Sequence, residues 1–195
     1  MISNIKIIIF FLIFLLATSA AAASIDFNKI LGALSSNIGP VIRLTQAIAY
    51  VIGIWFMVSA IKDLKAIGQS QSQGAGGLGG PLTRLVLGVA LVYLPSTIDM
   101  AVSTLWGSGA TILSYTPTNA SDSFAQAKKG AVMLIQAVGW ISFVKGFVIL
   151  NHSTQQGAQQ GTVGKGIIHI AGGILAINIV ATIKIIGNSI GITII

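Results

Sequence analysis

Charge is scarce in this sequence, and cysteine is missing altogether. Charged residues make up 8% of the 195 residues, with 11 basic and four acidic side chains, whereas an average soluble protein has about 25%. So few charges cannot cover a water-soluble surface, and hydrophobic residues account for 54% of the chain. The lack of cysteine excludes disulfides, thiolate catalysis and iron–sulfur clusters. The composition therefore predicts an integral membrane protein.

Residues suited to catalysis are also sparse. The carboxylates are not clustered, and His152 and His169 have no metal-ligand spacing around them. The segment 74–79 fits the pattern G-x-G-x-x-G, but no strand is predicted before it and a proline follows it. The net charge of +7 comes from scattered basic residues, so we expect lipid headgroup contacts rather than nucleic-acid binding. We expect no enzymatic activity, cofactor, metal or small-molecule substrate.

The first 23 residues have the features of a secretory signal peptide. Lys6 gives a positive start, residues 7–16 form an apolar stretch, and residues 17–23 are small. We predict cleavage before Ser24, with an uncleaved first transmembrane helix as the alternative. Both interpretations place Ser24 outside the cytoplasm.

The segment 24–40 is predicted to be an amphipathic helix on the outer face of the membrane. Its apolar residues recur at helical spacing, and we expect Gly39 and Pro40 to break the helix. The apolar stripe consists of Phe27, Ile30, Leu31, Leu34 and Ile38.

Four apolar stretches of about 20 residues follow, each near the length that crosses a bilayer. We predict an all-α membrane protein with two tandem transmembrane hairpins, 41–106 and 131–195, joined by a periplasmic loop over 107–130. The loops within the hairpins, rich in Gly, Gln and Ser, would then lie in the cytoplasm. The predicted spans are Val41–Ile61, Leu82–Met100, Ala131–Leu150 and Ile167–Ile186.

The two hairpins resemble each other in sequence. The segment LTQAIAYVI from Leu44 matches LIQAVGWIS from Leu134 at an offset of 90 residues. The segment GVALVYLPSTI from Gly88 matches GILAINIVATI from Gly173 at an offset of 85. The match predicts an internal repeat whose halves run in the same direction, although apolar helices also resemble one another by chance.

Small residues recur at spacings that suit close helix packing in lipid. Glycine accounts for 23 residues, which is also compatible with ordinary membrane-helix composition. The predicted helix-packing or partner-interface residues are Ala49, Gly53, Gly88, Gly139, Gly146, Gly172, Ala176, Gly187 and Gly191.

Five polar residues are predicted to lie within the membrane. Asp99 and Lys184 occupy equivalent positions under the offset of 85, so they could pair across the halves or reach the headgroups separately. Gln46 and Gln136 could bond between helices or face an aqueous path. Lys145 is expected to reach the cytoplasmic side, with a polar pathway or a partner's carboxylate as the alternatives.

Pro95 interrupts the predicted second span. Because proline lacks an N–H and its ring clashes with the preceding turn, we expect the helix to kink or end there. The stretch that follows it either continues the span or lies along the outer interface.

This architecture resembles the DotE/IcmC family of the Dot/Icm (type IVB) secretion system. The resemblance covers the whole chain and is carried by its length, its order of segments and the loops QSQSQGAGGLGG and TQQGAQQG. It implies a structural inner-membrane subunit of a channel complex that exports effector proteins, in contact with other secretion-system subunits and the bilayer. A stand-alone transporter or ion channel, and a pilin-like or holin-like self-assembling protein, are the alternatives.

Overall fold

The computed structural model shows an all-helical protein in the part of the chain that it describes. The described residues are 27–69, 77–108, 110, 112, 125–155 and 158–191. They form six helices and contain no strand, which confirms the predicted all-α class. The predicted signal peptide, residues 1–23, lies outside the described residues.

The helices fall into two halves of the same design, each with one long helix followed by two short ones. The first half contains α1, α2 and α3, and the second half contains α4, α5 and α6. In chain order, the helices are α1 Phe27–Gln69, α2 Gly79–Val92, α3 Leu94–Trp106, α4 Ala125–Ser153, α5 Thr162–Ile177 and α6 Ile179–Ile190.

Helix α1 is continuous through Pro40, so the predicted break at Gly39 and Pro40 is wrong. The proline leaves the carbonyl of residue 36 without its usual helical donor, but membrane helices tolerate this loss when other groups compensate. The predicted outer segment 24–40 and the first predicted span therefore belong to one helix from residue 27 onward. Helix α4 likewise begins at Ala125, within the predicted loop 107–130.

Two stretches are long and apolar enough to cross a membrane, Asn37–Gln69 in α1 and Ala127–Ser153 in α4. The pairs α2–α3 and α5–α6 qualify only if each bent pair counts as one span, because they bend by 95° and 87°. The protein therefore has two to four candidate spans. The second and fourth predicted spans each correspond to a bent pair, and a kink was expected near Pro95 in the second but not in the fourth.

The core lies between the long helices and the short helices packed on them. Helix α1 packs against α2 and α4, and α4 packs against α5. The short helix that follows each bend also has a buried face. In α3 this face consists of Leu94, Ile98 and Val102. Phe143 and Phe147 of α4 contact each other in the same core, with ring centroids 5.0 Å apart.

Candidate functional site

Helices α1 and α2 touch backbone to backbone where two predicted glycines meet. A Cβ atom on Gly53 would lie 2.7 Å from the Gly88 carbonyl oxygen, and one on Gly88 would lie 2.8 Å from the Gly53 carbonyl oxygen. Real Cβ atoms do not approach this closely. The predicted packing role of Gly53 and Gly88 is therefore supported by geometry, since only glycine allows this contact.

The second half repeats this contact between α4 and α5. A Cβ atom on Gly139 would lie 2.9 Å from the Gly173 carbonyl oxygen, and one on Gly173 would lie 2.9 Å from the Gly139 carbonyl oxygen. A further contact joins Gly146 to Gly166, where a Cβ on Gly146 would lie 2.9 Å from the Gly166 carbonyl oxygen. Gly166 and Gly173 were not among the predicted packing residues.

These glycine pairs correct the predicted alignment of the halves. Gly88 lies against Gly53 and Met57, whereas Gly173 lies against Gly139 and Phe143. The long helices therefore correspond at an offset of 86, not the predicted 90, while the short helices keep the predicted 85. A shift of four residues is about one helical turn and leaves the same face apolar, so hydropathy alone could not distinguish the two registers.

The remaining predicted packing residues differ in their surroundings. Ala49 is fully buried, and Ala176 lies beside Gly139. Gly187 is buried in α6. Gly172 is exposed, and no described atom lies within 4 Å of a Cβ placed on it, so within this chain the close contact is made by the adjacent Gly173. Gly191 is also exposed and ends α6 with a positive φ of 76°, a backbone conformation that favours glycine.

Both bends have the same local structure. Tyr93 and Asn178 occupy the breaks, with φ and ψ of −98° and 37° at Tyr93 and −108° and 46° at Asn178. The backbone N–H of each donates to the carbonyl four residues earlier, at 3.0 Å from Tyr93 and 3.1 Å from Asn178. Tyr93 and Asn178 are 85 residues apart, so this part of the predicted repeat is present in the structure.

A threonine hydroxyl closes each bend. The Thr97 hydroxyl lies 2.9 Å from the Ala90 carbonyl oxygen and 3.1 Å from that of Tyr93. The Thr182 hydroxyl lies 3.0 Å from the carbonyl oxygens of both Leu175 and Asn178. Because a break leaves carbonyls of the preceding helix without N–H partners, these hydroxyls replace part of the lost bonding.

Proline is not the shared cause of the bends. Pro95 lies in the first turn of α3, where proline is tolerated because the first N–H groups of a helix lack helical partners anyway. The second half bends by 87° with Val180 at the equivalent position. The predicted interruption near Pro95 is present, but its bend begins at Tyr93.

The structure does not bring Asp99 and Lys184 together. Both side chains are exposed, and no ion pair joins them. Lys145 is exposed on α4, six residues before Asn151, and Gln46 is half-buried. Gln136 is buried, at 9% exposure.

A polar cluster that the sequence did not predict lies where the loop ends of the two halves meet. One terminal nitrogen of Arg84 is 2.6 Å from a carboxylate oxygen of Asp63. The Arg84 Nε donates to the Asn151 side-chain oxygen at 3.1 Å. Arg84 is 14% exposed and Asp63 46% exposed. Asp63 and Arg84 belong to the first half and Asn151 to the second, 67 positions after Arg84, and no local pattern links them.

A cleft of about 520 Å³ adjoins this cluster, and we call it the loop-end cleft. Asp63 and Arg84 are its charged lining residues. Gly80 and Thr154, which both line it, touch where the halves meet, since a Cβ on Gly80 would lie 3.2 Å from the Thr154 carbonyl oxygen. The cleft is therefore bounded by both halves.

A second, apolar groove of about 540 Å³ lies among α3, α4 and α5. Its polar side chains are Thr97 and Thr104, and Phe143, Phe147 and other apolar residues form the rest of its lining. A surface of this composition suits hydrocarbon chains and not hydrated ions. Among the described residues, no group of three or more His, Cys, Asp or Glu is placed to hold a metal.

Comparisons with known proteins identify no relative. No protein-family model matches the chain, and no curated protein and no solved structure matches it either.

Proposed function

We propose that this protein is a non-enzymatic structural subunit of a bacterial inner-membrane channel complex of the type IVB secretion kind, needed for export of effector proteins. The proposal combines the resemblance to the DotE/IcmC family with the properties of the bundle. It places the start of the mature chain in the periplasm and gives the protein other secretion-system subunits as partners.

The observation that carries the structural role is the closure of both bends by threonine. In transporters with broken helices, unwound carbonyls face a cavity and coordinate ions. Here the Ala90 and Leu175 carbonyls accept from Thr97 and Thr182 of the same half. These groups are occupied within the protein, and the groove beside them is apolar. Such bends hold helices in fixed directions, as a scaffold requires.

The test is deletion and complementation in a bacterium that carries such a secretion system. Loss of the protein is expected to abolish effector delivery, and Gly172→Val is expected to restore delivery when expressed in the deletion strain. Gly173→Val is expected to fail, because its side chain meets the backbone of α4. Normal delivery by the deletion strain would contradict the proposal.

Co-purification tests the partners. A C-terminally tagged chain, solubilised in mild detergent, is expected to elute in a large assembly with other secretion-system membrane proteins. A small particle containing this chain alone would count against a subunit role and favour a self-assembling or independent protein.

A stand-alone transporter is the second candidate, and one observation favours it. Interrupted helices at equivalent positions of two repeats are a feature of secondary transporters, and this chain has such interruptions at Tyr93 and Asn178. Purified protein in liposomes is expected to show no ion or solute flux under the structural proposal. Flux that Thr97→Val and Thr182→Val both alter would support the transporter instead.

A further inference from the structure

Arg84, which lines the loop-end cleft, contacts residues of both halves. Arg84 holds Asp63 of its own half through a terminal nitrogen and Asn151 of the other half through Nε. We propose that Arg84 is a conformational latch: its bond to Asn151 helps to keep the two halves together at the loop end, Asp63 holds the guanidinium in place for that bond, and loss of the bond lets the halves separate there and widens the cleft. The inference does not depend on the secretion role.

The glycine contacts cannot supply this connection. Gly53 with Gly88 lies within the first half, and Gly139 with Gly173 lies within the second. The halves meet mainly through apolar packing of α1 on α4, which is not directional. The bond from Arg84 to Asn151 adds a directional contact between halves at the end where the cleft opens.

Burial makes these contacts costly to lose. Arg84 is 14% exposed and Asn151 is 6% exposed. A guanidinium that is largely removed from water needs its partners, because a charge left unpaired there is strongly unfavourable. Asp63 keeps nearly half of its side chain exposed, so the pair lies at the rim of the cleft, where it can come apart towards water.

The latch exists on one side of the molecule only. The residue equivalent to Arg84 under the offset of 85 is His169, whose Nδ1 lies 2.9 Å from the Lys165 carbonyl oxygen of its own helix. The residue equivalent to Asn151 under the offset of 86 is Lys65, which is exposed. A histidine and a lysine cannot reproduce the bond from arginine to asparagine. Of the two equivalent residues Arg84 and His169, only Arg84 has a side chain that bonds to the other half.

Disulfide cross-linking of the full chain in membranes tests the latch. Because the chain has no native cysteine, only the introduced cysteines can form a disulfide within it. The reporter pair is Gly80→Cys with Thr154→Cys, one in each half, where the halves touch. The control pair is Ser142→Cys with His169→Cys, which lies within the second half, where the Ser142 hydroxyl donates to the His169 carbonyl at 3.1 Å. Each pair is oxidised with copper-phenanthroline, with and without Arg84→Gln.

With Arg84→Gln, the reporter pair is expected to cross-link more slowly, because the rate follows the fraction of molecules in which the two residues are in contact and the loss of a charged hydrogen bond lowers that fraction. The control pair is expected to keep its rate. Asn151→Ala, which removes the bond between halves and leaves the Asp63 contact in place, is expected to slow the reporter pair to a similar extent. An unchanged reporter rate with Arg84→Gln would overturn the proposal. Equal slowing of both pairs would also overturn it, because it would show a general loss of structure.

Discussion

The first half, residues 27–106, and the second half, residues 125–190, share their bends and differ at their loop ends. Both halves turn by about a right angle at equivalent positions, 95° and 87°, and both close the turn with an equivalent threonine. At the loop end, Arg84 contacts the other half while its counterpart His169 contacts its own helix. The duplicated features lie where each half is internally constrained, and the divergent ones lie where the halves meet.

The glycine contacts give the strongest test of this likeness. Gly173→Val should destabilise the protein by about 3 kcal/mol, because its Cβ would lie 2.8 Å from the backbone nitrogen of Phe143, which cannot rotate away. Gly88→Val should have a similar effect in the first half. Unfolding of the purified protein in mixed micelles measures both.

Gly172→Val is the matched control, since no described atom lies within 4 Å of a Cβ at that position. It should change the stability by less than about 0.5 kcal/mol. A similar loss for Gly172→Val and Gly173→Val would show that the loss does not come from the contact between Gly173 and α4.

Substitutions at the loop ends should change the stability of the protein by different amounts in the two halves. Arg84→Gln should destabilise the protein by about 2 kcal/mol, because it removes a charged hydrogen bond and leaves Asn151 without that donor. His169→Gln should cost less than about 0.5 kcal/mol, since its ring bonds within one helix turn. Equal losses of stability for Arg84→Gln and His169→Gln in the same unfolding measurement would show that the two residues contribute alike, against the difference that we infer between the loop ends.

Removal of the threonine hydroxyl should lower the stability of the protein by the same amount at both bends. Thr97→Val and Thr182→Val should each destabilise the protein by about 1 kcal/mol, because each removes a hydroxyl that bonds across the break. Thr104→Val is the control, since its hydroxyl bonds to the Met100 carbonyl within one helix. A loss at one bend that is absent at the other would mean that the two bends are held by different forces.

Pro95→Ala should have the smallest effect, below about 0.5 kcal/mol, and should leave the angle between α2 and α3 unchanged. The angle can be followed by distances between spin labels at Thr83 and Ser103. A straightened helix in this variant would make proline the cause of the first bend and separate it from the second.

The sequence predicts the helical class, the long apolar helices and the repeat of the short helices, because composition and periodicity report on burial in lipid. The continuity of α1 through Pro40 could not be predicted, since proline is a weaker helix breaker in membrane helices than in soluble ones. The offset at which the residues of α1 correspond to those of α4 in the repeat could not be predicted either, because a shift by one helical turn leaves the apolar face unchanged.

The candidate site was predicted only in part. Glycine spacing identified Gly53, Gly88, Gly139 and Gly146 as packing residues, and their contacts are present. Arg84 gave no signal beyond its place beside a loop, because its partner Asn151 is distant in sequence. Asp99 and Lys184 have opposite charges at equivalent positions of the repeat. A repeat offset predicts that two residues lie at the same depth in the membrane, but it does not predict which way their side chains point, and both side chains are exposed.

The bends also have a consequence for the shape of the surrounding bilayer. Helix α2 has 14 residues, so it rises about 21 Å, less than the hydrocarbon thickness of about 30 Å. When α1 and α4 stand upright in the membrane, α3 and α6 run sideways near the end that α2 and α5 reach. The protein then takes up more area in one leaflet than in the other, a wedge that favours curvature or local thinning of the membrane.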